Sequence, residues 1–335
     1  MKKFALTPAL QNMSAALKNE VCSLEASDKI HILKDRALMF QKARQFFSEK
    51  GVLEVDCPSL SRYASCDAHI DLIPAHLMNN IACFLHSSPE YGMKRLLSLG
   101  MGDIYQLSHV FRDGEYGQRH NPEFMMAEWY RLACSFEQMI EETLDFIQLF
   151  LGKLPAEYLS YREAFLRYAK IDPYLASDEE LKKHLQTIAP DAVADSRDDI
   201  CNYILALEIE PHLGKDKLSV LTFFPPSQAA LAKTRKYDGQ NVAERFEVYY
   251  QTVELANGYH ELQDPDEQLK RLHEANETRV ALKKEMLPID MRFIESLRKG
   301  LPECSGVAVG IDRLMMLRHK KETIEQVMPF DWQSA

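Results

Sequence analysis

From Ile30 onward apolar residues recur at helical spacing, with Leu33, Ala37, Phe40, Ala43 and Phe47 on one side and Lys34, Asp35, Lys42 and Arg44 on the other. Gly51 ends that pattern, and residues 52–55 follow as a short strand stopped by Pro58. Residues 81–86 read as a second strand. Pro89-Glu90 then opens a helix reaching about Leu99, with proline in the first turn where its missing N–H costs least. Residues 103–112 and 124–132 alternate as two antiparallel strands around a polar loop, 113–122, and a helix over 135–151 follows.

Farther along, a run over 245–255 is rich in β-formers and leads into Asn257-Gly258, which reads as a turn. Asp264-Pro265-x-Glu267 supplies the N-cap, first-turn proline and N3 carboxylate of a charged helix. A strand over 306–311 runs into a helix over 312–319. Residues 153–240 differ in character: prolines separate short helical patches, one opened by the capping pair Ser177 and Glu180, which predicts a helical insertion in the core. Residues 1–29 show little periodicity and read as an N-terminal tail, leaving 30–335 as one domain. Strands paired mostly antiparallel and separated by helices predict an α+β architecture rather than a doubly wound sheet.

Composition narrows the function. With 335 residues and 46% hydrophobic content the chain can bury a large core. Fifty acidic against 40 basic residues give a net charge of -10, which argues against gripping nucleic acid through a general positive field. The seven cysteines are widely spaced and never form C-x-x-C, which fits reduced thiols in a cytoplasm. Neither a signal-peptide core nor an apolar run of about 18 residues is present, so a soluble cytoplasmic protein is expected.

The chemistry concentrates in residues 111–130. Phe111-Arg112-Asp113-Gly114-Glu115, His120-Asn121-Pro122-Glu123-Phe124 and Glu128-Trp129-Tyr130 group one arginine, several carboxylates and aromatic rings. Forming an acyl-adenylate needs those types: a cation bridging the α-phosphate and an attacking carboxylate, a ring for adenine, and anions for Mg²⁺ and ammonium. No base is required, because an amino acid's carboxylate is already ionised at neutral pH. The chain has no G-x-x-x-x-G-K-[ST] loop, so ATP must be held another way.

These elements resemble the catalytic core of class II aminoacyl-tRNA synthetases. Motif 1 matches the helix from Ile30 through Pro58, motif 2 matches Phe111-Arg112 through Phe124, and motif 3 matches residues 306–314. Within the class, Ser88-Pro89-Glu90-Tyr91, residues 120–124 and residues 254–262 are similar to the lysine-specific branch. Fewer than thirty residues precede motif 1, where a lysyl-tRNA synthetase carries an anticodon-binding OB-fold. Together with Ser88 and Ala308, which stand where those synthetases usually have alanine and glycine, this favours the truncated paralogues of the branch. Such paralogues adenylate (R)-β-lysine and transfer it to a lysine side chain of elongation factor P, which argues against tRNA as acceptor. Ser88 and Ala308 would then shape a pocket wall for an amine moved from the α to the β carbon.

The resemblance implies roles. Arg112 would bridge the α-phosphate and the substrate carboxylate, Phe124 would stack on adenine, and Arg313 would meet the γ-phosphate. Asp113, Glu115, His120, Asn121, Leu255 and Gly310 would complete the ATP site. Glu247 and Glu254 would carry Mg²⁺. Residues seven apart in an unbroken strand face opposite sides, so sharing a metal requires a bulge or twist between them. Ser88, Pro89, Glu90, Glu128, Tyr130, Asn257, Glu261 and Ala308 would recognise the substrate, the acids because each buried ammonium needs an anionic partner. Motif 2 commonly reads Phe-Arg-x-Glu, whereas here Gly114 takes the fourth place. Either the loop shifts so that Glu115 makes the adenine-edge contact, or backbone atoms replace it. Motif 1 implies a homodimer. Alternatives are a minimal lysyl-tRNA synthetase, a ligase using α-lysine, and a catalytically silent regulatory paralogue.

Overall fold

The computed structural model describes residues 15–63 and 65–335; part of the expected tail, residues 1–14, lies outside them. Along the chain, α1 (Ala15–Glu49) leads into β1 (Leu53–Glu54), β2 (Leu60–Ser61), β3 (Pro74–Leu77), β4 (Ile81–Leu85) and α2 (Glu90–Ser98). The hairpin of β5 (Ile104–Phe111) and β6 (Glu123–Leu132) precedes α3 (Phe136–Leu151) and β7 (Ala156–Ser160). Helices α4 (Tyr161–Ala164), α5 (Asp178–Ile188) and α6 (Arg197–Ile204) come before β8 (Leu218–Phe224) and β9 (Thr234–Tyr237). The chain ends through β10 (Gln240–Tyr250), β11 (Val253–His260), α7 (Pro265–Ala281), α8 (Met291–Gly300), β12 (Cys304–Gly310) and α9 (Ile311–Arg318).

The main sheet runs β1-β5-β6-β12-β11-β10-β8-β7, with β9 paired to β10. All neighbours are antiparallel except β1 with β5 and β7 with β8, so the sheet is of the α+β kind expected. A small sheet, β2-β4-β3, stands apart from it. The segment expected as a helical insertion also supplies β7, β8 and β9, and its helices share a buried cluster with Tyr161, Phe165 and Phe224. The capping pairs read from sequence form: the Ser177 hydroxyl accepts from the Glu180 N–H, and the Asp264 carboxylate accepts from the N–H groups of Asp266 and Glu267.

Helix and strand patterning meet on the back of the sheet. Phe47 of α1 stacks on Tyr105 of β5 at 4.1 Å between ring centroids and touches the fully buried Trp129 of β6 and Phe146 of α3. The buried stripe of α1 is Ile32, Arg36, Met39, Ala43 and Phe47; Ala37 is exposed, and Leu33 and Phe40 are only half-buried. Arg36 turns the stripe because its guanidinium pairs with buried Asp312 at 2.5 Å. Asp312 in turn accepts from the Met125 N–H at 2.6 Å, tying the start of α9 to β6 and fixing where the next residue, Arg313, projects.

One expectation fails here. Asn257-Gly258 is not a turn but lies inside β11, paired to β10 on one side and β12 on the other. The reversal occurs at Gln251-Thr252, with φ of 48° and 60°. Local turn preference yields to two flanking ladders, and Gly258 serves packing instead: a β-carbon there would sit 2.4 Å from the Phe246 ring.

Candidate active site

Strand parity assembles the site. On β6 the side chains of Phe124, Met126, Glu128 and Tyr130 share one face, opposite Gly310, Ala308 and Gly306 of β12 for the last three. Asn257 faces Ala308 from β11, and Glu247 of β10 is registered against Asn257. The register then slips between Val248 and Tyr249, so that Glu254 lies opposite Tyr249 and Leu255 is the extra residue of a β-bulge. Because the turn at 251–252 brings Glu254 back opposite Tyr249, two residues from Glu247 on β10, Glu247 and Glu254 point to the same side, as sharing a cation requires. The bulge brings Asn257 rather than Ala256 opposite Glu247.

At one end of this face lies a cavity of about 290 Å³, lined among others by Arg112, Glu115, Arg119, Phe124, Glu254 and Arg313. The Arg112 guanidinium lies 5.1 Å from the centre of the Phe124 ring. Its Nε is buried without a partner among the described residues. Arg313 donates to the Glu254 carbonyl at 2.8 Å and sits 2.7 Å from His120 Nε2. Burial and the neighbouring Arg313 lower the pKa of His120, which leaves the ring neutral and able to accept from that guanidinium. Gly114 adopts φ 75°, where glycine is at ease, and the acid displaced to Glu115 reaches the cavity wall 3.6 Å from Arg112.

At the other end is an enclosed, acidic pocket. Glu128 is buried, accepting from the Ser88 hydroxyl and the Tyr130 hydroxyl, each at 2.7 Å. Glu90, in the first turn of α2 after Pro89, and buried Glu261 both pair with Lys94, whose Nζ lies 2.6 and 2.5 Å from them. Burial, reinforced by Glu90, pushes the Glu128 carboxyl up to about 7. Burial pushes Glu261 up to about 8 against the opposing pull of Lys94. Gly306 makes room: a β-carbon there would stand 2.3 Å from the Tyr130 ring and 2.6 Å from Glu261 Oε1. That buried oxygen has no hydrogen-bond partner among the described residues.

The residues between the two ends suit Mg²⁺ of a particular kind. Partial burial and nearby Glu247 push the Glu254 carboxyl, 39% exposed, up to about 7. Glu247 is already engaged by Arg245 at 2.5 Å, Tyr249 at 2.5 Å and Asn257 at 3.2 Å. Among the described residues no three His, Cys, Asp or Glu side chains are arranged to hold a metal ion by themselves. The two glutamates fit an ion that takes most of its ligands from phosphate oxygens and water.

The family model for tRNA synthetases class II (D, K and N) matches residues 12–333. Proteins named elongation factor P--(R)-beta-lysine ligase are similar over nearly their whole length. The one from Yersinia enterocolitica is 41% identical over 320 residues, 93% of this chain and 98% of its own. That from Hamiltonella defensa is 41% identical over 325 residues, 95% of this chain and all of its own. A Salmonella typhi relative is 41% identical over 321 residues, 93% and 98% respectively. The chain belongs to the class II tRNA synthetase family, and within it to this ligase group.

Set against what the family resemblance implied, the structure gathers Arg112, Glu115, His120, Phe124, Glu254, Leu255, Asn257, Ala308, Gly310 and Arg313 around the cavity. Ser88, Glu90, Glu128, Tyr130 and Glu261 meet in the acidic pocket. Pro89 serves as the N-cap of α2. Two residues stand differently. Asp113 is exposed and accepts from the Gly114 N–H, and the buried Asn121 commits its amide to the Glu123 carbonyl and the Trp332 N–H. Sequence reasoning missed Lys94, Arg119, Glu210 and Arg245. Arg119 was findable as another basic residue in the motif 2 loop, and its guanidinium donates to the Thr252 carbonyl at 2.9 Å beside Glu254. Glu210 and Arg245 carry no local signal, for only the folded sheet brings them to Glu247 and Tyr249.

Proposed function

We propose that the protein activates (R)-β-lysine with ATP and transfers it to a lysine side chain of elongation factor P. One observation carries this reading: a guanidinium-lined cavity and an enclosed triple-carboxylate pocket adjoin on one sheet face, in a chain matched over 93% and 95% of its length by two relatives of that name. The substrate carboxylate oxygen attacks the α-phosphorus, the bond to pyrophosphate breaks, and an aminoacyl-adenylate forms. An acceptor amine then attacks the carbonyl carbon, the bond to AMP breaks, and an amide results. Arg112, with its buried Nε free, offsets charge on the α-phosphate and aligns the carboxylate, while Phe124 presents its ring to adenine. Arg313, with His120 bracing it, serves the terminal phosphate end. Glu254, with Glu247 beside it, would hold Mg²⁺, which when bound neutralises phosphate oxygens. The substrate's ammonium groups sit against Glu90, Glu128 and Glu261.

The reading includes a cytoplasmic homodimer joined through motif 1. Leu38 of α1 and Leu53 of β1, 46% and 52% exposed, support the interface; no described helix is long and apolar enough to cross a membrane. The test pairs pyrophosphate exchange on (R)-β-lysine and α-lysine with intact-mass analysis of elongation factor P and charging of tRNA. Exchange preferring (R)-β-lysine with a mass gain on the factor is expected. Charged tRNA beside an unmodified factor would overturn the reading, as would no exchange with either amino acid.

A further inference from the structure

The acidic pocket holds a cation of its own. Lys94 lies one turn after Glu90 on α2, is wholly buried, and places its Nζ 2.6 Å from Glu90 Oε1, 2.5 Å from Glu261 Oε2 and 6.0 Å from the centre of the Tyr130 ring. A buried ammonium is costly unless paired, and here two carboxylates pair it. Glu128, the third acid, has only hydroxyl partners, from Ser88 and Tyr130. Fully ionised, three carboxylates would crowd three negative charges into one enclosure. Lys94 offsets one of them, and the remaining two equal the number of ammonium groups on a diamino acid.

We propose that Lys94 is a positioning residue that sets the pocket's charge: by pairing with Glu90 and Glu261 and holding both in place, it tunes the site to a small acid bearing two ammonium groups. This rests on the functional reading above. The titratable groups around Lys94 and its two acids are Glu90 from α2, Glu128 and Tyr130 from β6, Tyr259 from β11, Glu261 just past it, and Cys304 from β12. Burial raises Tyr130, Tyr259 and Cys304 still farther above the neutral range, whereas it brings Glu128 and Glu261 into that range.

Pyrophosphate exchange measured from about pH 6 to about pH 9 separates this role from a merely structural one. In Lys94→Gln, which keeps hydrogen bonding without charge, and in Lys94→Met, the KM for (R)-β-lysine at neutral pH is expected to rise at least about tenfold. The KM for ATP stays unchanged. The pH at which the amino-acid KM levels off moves up by roughly one unit, because carboxylates deprived of a cation ionise later. Lys94→Arg keeps the original profile. An unmoved KM and profile in both neutral variants would overturn the proposal, and so would a loss of kcat that is uniform across pH. Should the unaltered protein ignore (R)-β-lysine, the functional reading fails first. The same series run with whichever amino acid supports exchange still decides the role of Lys94.

Discussion

The two ends of the catalytic face solve opposite problems with the same strands. At the ATP end, guanidinium groups of Arg112, Arg119 and Arg313 come from a loop and a helix start and line an open cavity. At the amine end, Glu90, Glu128 and Glu261 are buried, and their charge is restrained by hydroxyls and Lys94. An open site can rely on water to screen its cations until phosphate arrives, whereas a closed one must offset its anions internally. The difference predicts that the ATP end is sensitive to losing charge and the amine end to losing fit or proton balance.

The comparison can be broken first at Arg112. Arg112→Ala is expected to reduce kcat/KM in pyrophosphate exchange by about 10²–10³, the usual scale for removing one group that meets developing charge. Binding of (R)-β-lysine alone, followed by calorimetry, should survive. Loss of that binding would show the two ends to be one coupled site. A smaller effect is expected from Gly306→Ala, whose β-carbon collides with Tyr130 and crowds Glu261. Overpacking of about 1–3 kcal/mol corresponds to roughly a 5- to 150-fold rise in the amino-acid KM, with ATP binding intact. An unchanged amino-acid KM would place the substrate elsewhere.

The smallest effect concerns pH. Glu128 and Glu261, at about 7 and about 8, lie above the unfolded glutamate value of roughly 4.3. A carboxyl raised on folding gives stability that is full below its unfolded pKa and lost as pH climbs through the folded one. The Tm of the free protein should therefore fall by a few degrees between about pH 6 and about pH 9. Saturating (R)-β-lysine, whose ammonium groups favour the ionised acids, should flatten that decline. A free-protein Tm that does not fall would mean that these acids are already ionised at neutral pH.

Much of this was legible in the chain. The β5–β6 hairpin and the caps at Ser177 and Asp264 are encoded by short-range pattern and form as read. What eluded pattern depends on distant partners. Arg36 stands in the buried stripe of α1 only because Asp312 meets it there, and Asn257-Gly258 looked like a turn until β12 paired beside it. Lys94 is the sharpest case. A lysine four residues after a glutamate on a helix ordinarily signals a solvated pair, and only α2 lying over the sheet turns that pair inward.

The bulge at Leu255 bears on how such a chain can vary over generations. Substituting Leu255 leaves the count of residues around the reversal intact, whereas losing one residue of the Gln251-Thr252 turn would let Leu255 take the place opposite Tyr249 and send the Glu254 side chain to the opposite face. The β10–β11 ribbon is thus free to change its letters but not its length. Gene copies that lose a single codon of that turn should be purged as inactive even when every named catalytic residue survives.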